Sequence, residues 1–182
     1  MKLHLGCGSK KLANYVHVDI ADFPHIAHKK PIYPLDFIES GSVEEIYCSH
    51  ALEYYDFHEA LLVLKDWHRV LNDNGCLRLS VPDFDKLLKV YYDQSGNIDS
   101  IIGPIFGRWS ISADYIYHRT VYNKKKLTEL LSIVGYHNIK DWEPLEFFGK
   151  DSNSFDDYSK AFHPKMDFEK GFPISINFLA FK

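Results

Sequence analysis

Leu3-His4-Leu5-Gly6-Cys7-Gly8, followed shortly by Tyr15-Val16-His17-Val18-Asp19, decides the fold of this 182-residue chain. Residues 2–7 read as an apolar strand running into G-x-G, and residues 15–20 as a second strand carrying a carboxylate at its end. Glycine has no Cβ, so the backbone bends sharply there and lets a ligand come close. A parallel sheet binds ligands at the carboxyl ends of its strands, which places both the turn and Asp19 on the working edge. A carboxylate at that position accepts hydrogen bonds from both hydroxyls of a ribose. Asp36 closes the next strand-like segment, residues 32–35, and reads as the acceptor for an adenine amino group, with Phe37 packing on the ring. Lys11 stands where the third glycine of the dinucleotide fingerprint would be, which counts against NAD or FAD. Only ten residues separate Gly8 from Asp19. A complete crossover helix does not fit in that span, so it predicts a loop or a single helical turn.

Working outward, short apolar strands alternate with helical patterns, the signature of an α/β domain with a mostly parallel sheet. A fourth strand covers residues 45–49. Residues 58–71 form the clearest helix, with Leu61, Leu64, Trp67 (or His68) and Leu71 giving one apolar face. Asn72-Asp73-Asn74-Gly75 then offers a left-handed stop, and residues 76–81 read as strand five, ending at Pro82-Asp83. A second helix spans residues 124–134, capped by Asn123 and ended by Gly135. Strands six and seven fall at residues 138–142 and 174–181. Residues 84–122 and 146–172 are less regular and rich in Gly, aromatic and polar residues. Long irregular segments of this kind are usually functional loops, so closure over a ligand and the substrate side of the site are expected there. With no repeat and no linker, residues 1–182 are expected to form a single domain.

The composition narrows the function classes. A net charge of −4 supplies no general basic field for a nucleic-acid backbone. Three cysteines without C-x-x-C spacing argue against a disulfide framework or a structural zinc site. No stretch approaches the roughly 18 consecutive apolar residues of a membrane span. The N-terminus shows no leader pattern, so a cytoplasmic location is expected. His25 with His28, and His50 with His58, lack a third ligand at metal-site spacing, and no metal is expected.

The sequence resembles the class I S-adenosylmethionine (SAM)-dependent methyltransferases. The resemblance is carried by the glycine turn, Val16-His17-Val18-Asp19, and Glu44-Glu45-Ile46-Tyr47-Cys48-Ser49-His50-Ala51-Leu52-Glu53. It continues through Trp67-His68-Arg69-Val70-Leu71 with Asn74-Gly75, and Leu77-Arg78-Leu79-Ser80-Val81-Pro82-Asp83. It looks closest to small methyltransferases encoded among surface-polysaccharide genes, in which Ser-His precedes Leu-Glu and the chain closes with Pro-Ile-Ser-x-Asn, as at Pro173 to Asn177. The resemblance implies a Rossmann-like, three-layer αβα fold with a seven-stranded sheet whose last strand is antiparallel. The first crossover helix is shortened. It implies SAM as cofactor, with the methionine part over Leu5, Gly6, Cys7 and Gly8, the ribose on Asp19 beside Ile20, and Ser49 and His50 facing the sulfonium. The acceptor expected is a small molecule or glycan, methylated on a hydroxyl oxygen of a sugar or sugar nucleotide, with nitrogen as the alternative.

Methyl transfer from a sulfonium needs alignment and exclusion of water, and a base only where the acceptor loses a proton. His118 is the first candidate base and His50 the second. Glu53, Tyr54, Asp83 and Arg119 fall on the acceptor side. Lys124-Lys125-Lys126 puts three cations in a first helical turn, where the helix dipole favours anions. It is either a solvated surface turn or, with Arg119, a mark of an anionic acceptor. A SAM-binding module without catalysis, and a same-fold transferase with another nucleotide-like donor, as in aminopropyl transfer, are the alternatives.

Overall fold

A computed structural model describes residues 1–111, 114–149, 157–164, 167 and 169–182. Seven strands form the main sheet: β1 (Lys2–Leu5), β2 (Val16–Asp19), β3 (His28–Lys29), β4 (Val43–Ser49), β5 (Leu71–Pro82), β6 (His137–Asp141) and β7 (Ser175–Phe181). Their order across the sheet is β3-β2-β1-β4-β5-β7-β6. Pairing is parallel from β3 to β5, and β7 runs antiparallel to both of its neighbours. The strand order reverses between β1 and β4, and a crevice at such a switch point is where sheets of this kind hold ligands.

One face carries the main core. Leu3, Leu5, Val18, Ile46, Cys48, Leu77 and Leu79 alternate onto it and pack against α1 (Phe57–Val70) and α4 (Lys124–Val134). Asp56 caps α1 through a complete capping box with Glu59. Asn123 caps α4 by accepting from Lys126 N–H, and Gly135 ends it in the left-handed region, as the sequence predicts. The other face is polar. Glu45 is buried between Lys2 (3.0 Å) and Arg78 (2.9 Å), whose guanidinium lies 4.0 Å from the centre of the Phe147 ring. Short α5 (Pro144–Phe148) and a 3-10 turn at Tyr158–Lys160 cover this face. The Tyr47 hydroxyl fastens the turn by donating to the Asp157 carboxylate.

Beyond β5 come α2 (Phe84–Asp93), a 3-10 turn (Ile98–Ser100), α3 (Ile102–Phe106) and a hairpin of Trp109–Ile111 with Asp114–Ile116. Leu87 and Val90 of α2 pack on Ile101, Ala161 and Ile174 as a second cluster. Among the described residues no helix is long and apolar enough to cross a membrane.

Three local expectations need correction. Residues 32–35 are not a strand. Pro31 precedes that stretch and Pro34 lies within it, and neither has an N–H for a ladder; α1 holds it instead: Trp67 Nε1–H donates to the Ile32 carbonyl, and Leu35 N–H to Asp66. The third strand is His28–Lys29, paired with Val18 and Asp19. The buried stripe of α1 is Ala60, Val63, Leu64, Trp67 and Val70, while Leu71 already pairs with Val43 in the sheet. Neither Asn72, Asn74 nor Gly75 takes a positive φ; the chain enters β5 extended and residues 72–75 bulge from it between the Leu71 and Cys76 pairings.

Candidate functional site

The carboxyl ends of β1, β2, β4 and β5 converge. Gly6 and Gly8 have φ of +64° and +51°, so the chain turns left-handed twice directly after β1. A Cβ on Gly6 would stand 2.5 Å from Cβ of Ala51, just beyond β4. The turn therefore abuts the end of β4 with no room for a side chain. Between Gly8 and β2 the chain makes turns and no helix, as the short spacing predicts.

Asp19 is 8% exposed, and each of its oxygens accepts one backbone N–H: Gly8 at 2.7 Å and Ala21 at 2.8 Å. A carboxylate has about four acceptor sites, so one per oxygen remains for a ligand hydroxyl. Cys7 is buried beside it, and burial, with the Asp19 charge second, pushes its thiol up to about 12. Cys7 is thus a neutral wall of the turn. Leu5 points into the core, leaving its backbone to face the edge, and Ile20 is 42% exposed next to Asp19.

A second group lies at the end of β4. His50 has φ +52°, a left-handed position unusual for a side-chain-bearing residue and of the kind found at functional sites. The Ser175 hydroxyl donates to the Tyr158 carbonyl at 2.8 Å, so it accepts from His50 Nε2–H at 2.9 Å. The His50 Nδ1 lone pair then faces Glu53 Oε1 at 3.5 Å. His118 Nδ1–H donates to the Pro104 carbonyl at 3.1 Å, which leaves its Nε2 lone pair 3.7 Å from the same oxygen. Glu53 is 1% exposed and its carboxyl has no hydrogen-bond partner among the described residues. Burial pushes it up to about 8 and holds both imidazoles neutral, His50 down at about 3 and His118 below its ordinary value. Two lone pairs facing one buried carboxyl oxygen favour a proton on Glu53. Thr120 and Tyr122, whose buried hydroxyls also have no partner among the described residues, line a narrow pocket together with Glu53 and His118.

No family model and no curated protein matches this sequence. Solved structures do match the fold. A SAM-dependent methyltransferase from Archaeoglobus fulgidus superimposes with a TM-score of 0.59 at 14% identity, over 100% of this chain and 85% of that one. The fold is that of the SAM-dependent methyltransferases. A methyltransferase of this fold from Methanosarcina mazei gives 0.56 at 15% identity, covering 100% and 91% of the two chains. The 1,6-didemethyltoxoflavin-N1-methyltransferase of Burkholderia thailandensis, which holds S-adenosylhomocysteine, gives 0.59 at 13%, covering 100% and 70%.

Within this methyltransferase fold the sequence-named residues divide. Asp19 and the glycine turn come together through a hydrogen bond, and His50, Glu53 and His118 form one cluster, with the Tyr54 ring against His118 and its hydroxyl on the Gly107 carbonyl. Ser49 ends β4 directly before them. Asp36 stands apart. It is exposed and 3.9 Å from Lys30, and Phe37 lies under Lys30 and against the main core rather than open to a ring. With residues 32–35 held on α1, the strand end that would have delivered Asp36 does not exist. Asp83 is buried as the N-cap of α2, with Lys86 Nζ at 3.7 Å. Arg119 points away to Asp56 (3.0 Å) and Glu59 (2.6 Å). Sequence reasoning missed Thr120 and Tyr122. For Ser175 a signal was present in the closing Pro-Ile-Ser-x-Asn, whose serine orients His50 and whose Asn177 accepts from Ser80. Among the described residues no group of three His, Cys, Asp or Glu side chains could hold a metal ion.

Proposed function

We propose that the chain is an enzyme that transfers a methyl group from SAM to a hydroxyl of a small-molecule or glycan acceptor. One juxtaposition carries this reading: a ribose-type carboxylate tied to a glycine turn stands at the same sheet edge as a buried His–Glu–His cluster. The donor set fits the cofactor, since Asp19 keeps an acceptor site on each oxygen and the turn offers backbone without side chains. Bound there, SAM supplies an electrophilic methyl for direct displacement. The protein orients the acceptor and keeps water out.

A hydroxyl acceptor must lose its proton, and His118 is the group placed to receive it. Its Nε2 lone pair accepts no hydrogen bond among the described residues, at 3.7 Å from Glu53, and His118 lines the narrow pocket with Glu53, Thr120 and Tyr122. His50 is the second choice, because Ser175 engages its Nε2 and, unlike His118, it does not line that pocket. Glu53 positions both rings and, by keeping its own proton, leaves their imidazoles neutral. With Arg119 paired to Asp56 and Glu59, the acceptor end is uncharged rather than anionic. The polysaccharide setting rests on the sequence resemblance.

Purified protein incubated with SAM and a panel of neutral sugars and glycosides tests the reading through release of S-adenosylhomocysteine. Turnover lost in His118→Ala supports it. SAM binding with no turnover on any acceptor favours a binding module, and no SAM binding at all removes the reading.

A further inference from the structure

Of three tryptophans, two are buried: Trp67 donates to the Ile32 carbonyl in the main core, and Trp142 lies beside Arg78. Trp109 is different. It is 38% exposed, belongs to neither core cluster, and opens the hairpin that pairs Trp109 with Ile116. Its six-membered ring lies against the glycine turn, where a Cβ on Gly8 would meet Cζ2 and Cη2 at 3.6 and 3.7 Å.

The base of the hairpin is pinned, so this placement is set by the fold. His118 N–H donates to the Phe106 carbonyl at 2.9 Å, and Tyr54 O–H to the Gly107 carbonyl at 2.9 Å. Arg108 stacks 3.5 Å from the centre of the Tyr115 ring. A large, half-exposed indole is thereby held over Gly8, whose N–H is bonded to Asp19, with exposed Ile20 following that carboxylate. Aromatic rings left partly in water beside a concave polar group are characteristic of ligand pockets.

We infer that Trp109 is a cofactor-binding residue: its indole forms the outer wall of the site and packs on the adenosyl portion of the ligand held by Asp19. This rests on the SAM reading above. It also gives the fold a wall on the side where the first crossover has no helix.

S-adenosylhomocysteine titrated into the wild type, Trp109→Ala and Trp109→Phe tests it, by calorimetry and tryptophan emission. Loss of an aromatic stacking partner typically weakens binding roughly ten- to a hundredfold. Trp109→Ala is expected to show that loss and Trp109→Phe to recover most of the affinity. The wild-type emission should change saturably with ligand, and that change should vanish in Trp109→Phe, because Trp67 and Trp142 are buried. Wild-type affinity in Trp109→Ala, with emission unmoved by ligand in the wild type, overturns the inference while leaving the SAM reading intact. A wild type that does not bind S-adenosylhomocysteine overturns both. Melting curves guard against unfolding, and Trp109→Phe, which keeps a ring against Gly8, decides the matter if the alanine variant is unstable.

Discussion

The carboxylate of Asp19 accepts the backbone N–H of Gly8 at 2.7 Å, so the end of β2 holds the turn after β1 in shape. This bond links two sequence features that are each weak alone. Asp19→Ala removes two charge-assisted bonds that shape the turn and the charge-assisted contact with a ribose, the latter worth about 1.5–3 kcal/mol in all. S-adenosylhomocysteine affinity should fall roughly ten- to a hundredfold, with Asp19→Asn in between. Calorimetry giving wild-type affinity for Asp19→Ala would remove Asp19 from the cofactor site.

Gly107 and His118 are coupled by contact. A Cβ on Gly107 would lie 1.8 Å from His118 Nε2, and Gly107 has φ +49°. Gly107→Ala should therefore cost about 1–2 kcal/mol of stability from the left-handed backbone alone. It must also push the imidazole away from Glu53. Turnover should drop at least tenfold while S-adenosylhomocysteine affinity stays near wild type. Undiminished turnover would show that His118 is not the base.

Glu53 makes stability depend on pH in a definite direction. Its folded value is about 8 against an ordinary 4.5, so the protonated form is the one favoured by folding. The stability this contributes is complete below about 4.5 and is lost as pH climbs through about 8. Glu53→Gln does not titrate. Its melting temperature should match the wild type near the acid end and exceed it by several degrees at alkaline pH, while the buried histidines affect both proteins alike. Parallel curves for the two proteins would mean that Glu53 ionises freely in the fold.

Most of the sheet was legible because strand and helix periods are local. β1, β2, β7 and α4 are signalled by alternation, caps and glycine stops within a few residues. The third strand was not, because two residues cannot display a period and the apolar Ile32–Leu35 neighbourhood owes its burial to Trp67, Asp66 and Arg69 on a distant helix. The same distinction holds at the site. Asp19 and the Ser49–His50 strand end follow from topology, which fixes where strand termini go. For Asp36, Asp83 and Arg119 the sequence carries position alone, and side-chain direction separates them: one faces solvent, one caps a helix, one pairs with Asp56 and Glu59 at the start of α1. Trp109 meets Gly8 across a hundred positions, and nothing in either neighbourhood announces that contact.

The lysines at the start of α4 supply the last prediction. Lys124 Nζ lies 2.7 Å from Asp141, and Lys126 Nζ sits 5.2 Å from the centre of the Phe57 ring. Both are exposed, and exposed pairs contribute about 0–1 kcal/mol. With Arg119 also engaged, this turn has the character of a solvated surface, its unfavourable interaction with the helix dipole relieved by Asp141. Reversing all three to Glu should lower the melting temperature by no more than a few degrees. The acceptor KM should be unchanged and so should SAM affinity. A several-fold rise in the acceptor KM with SAM affinity intact would restore an anionic acceptor and move the acceptor site towards the start of α4, away from the neutral Glu53 pocket.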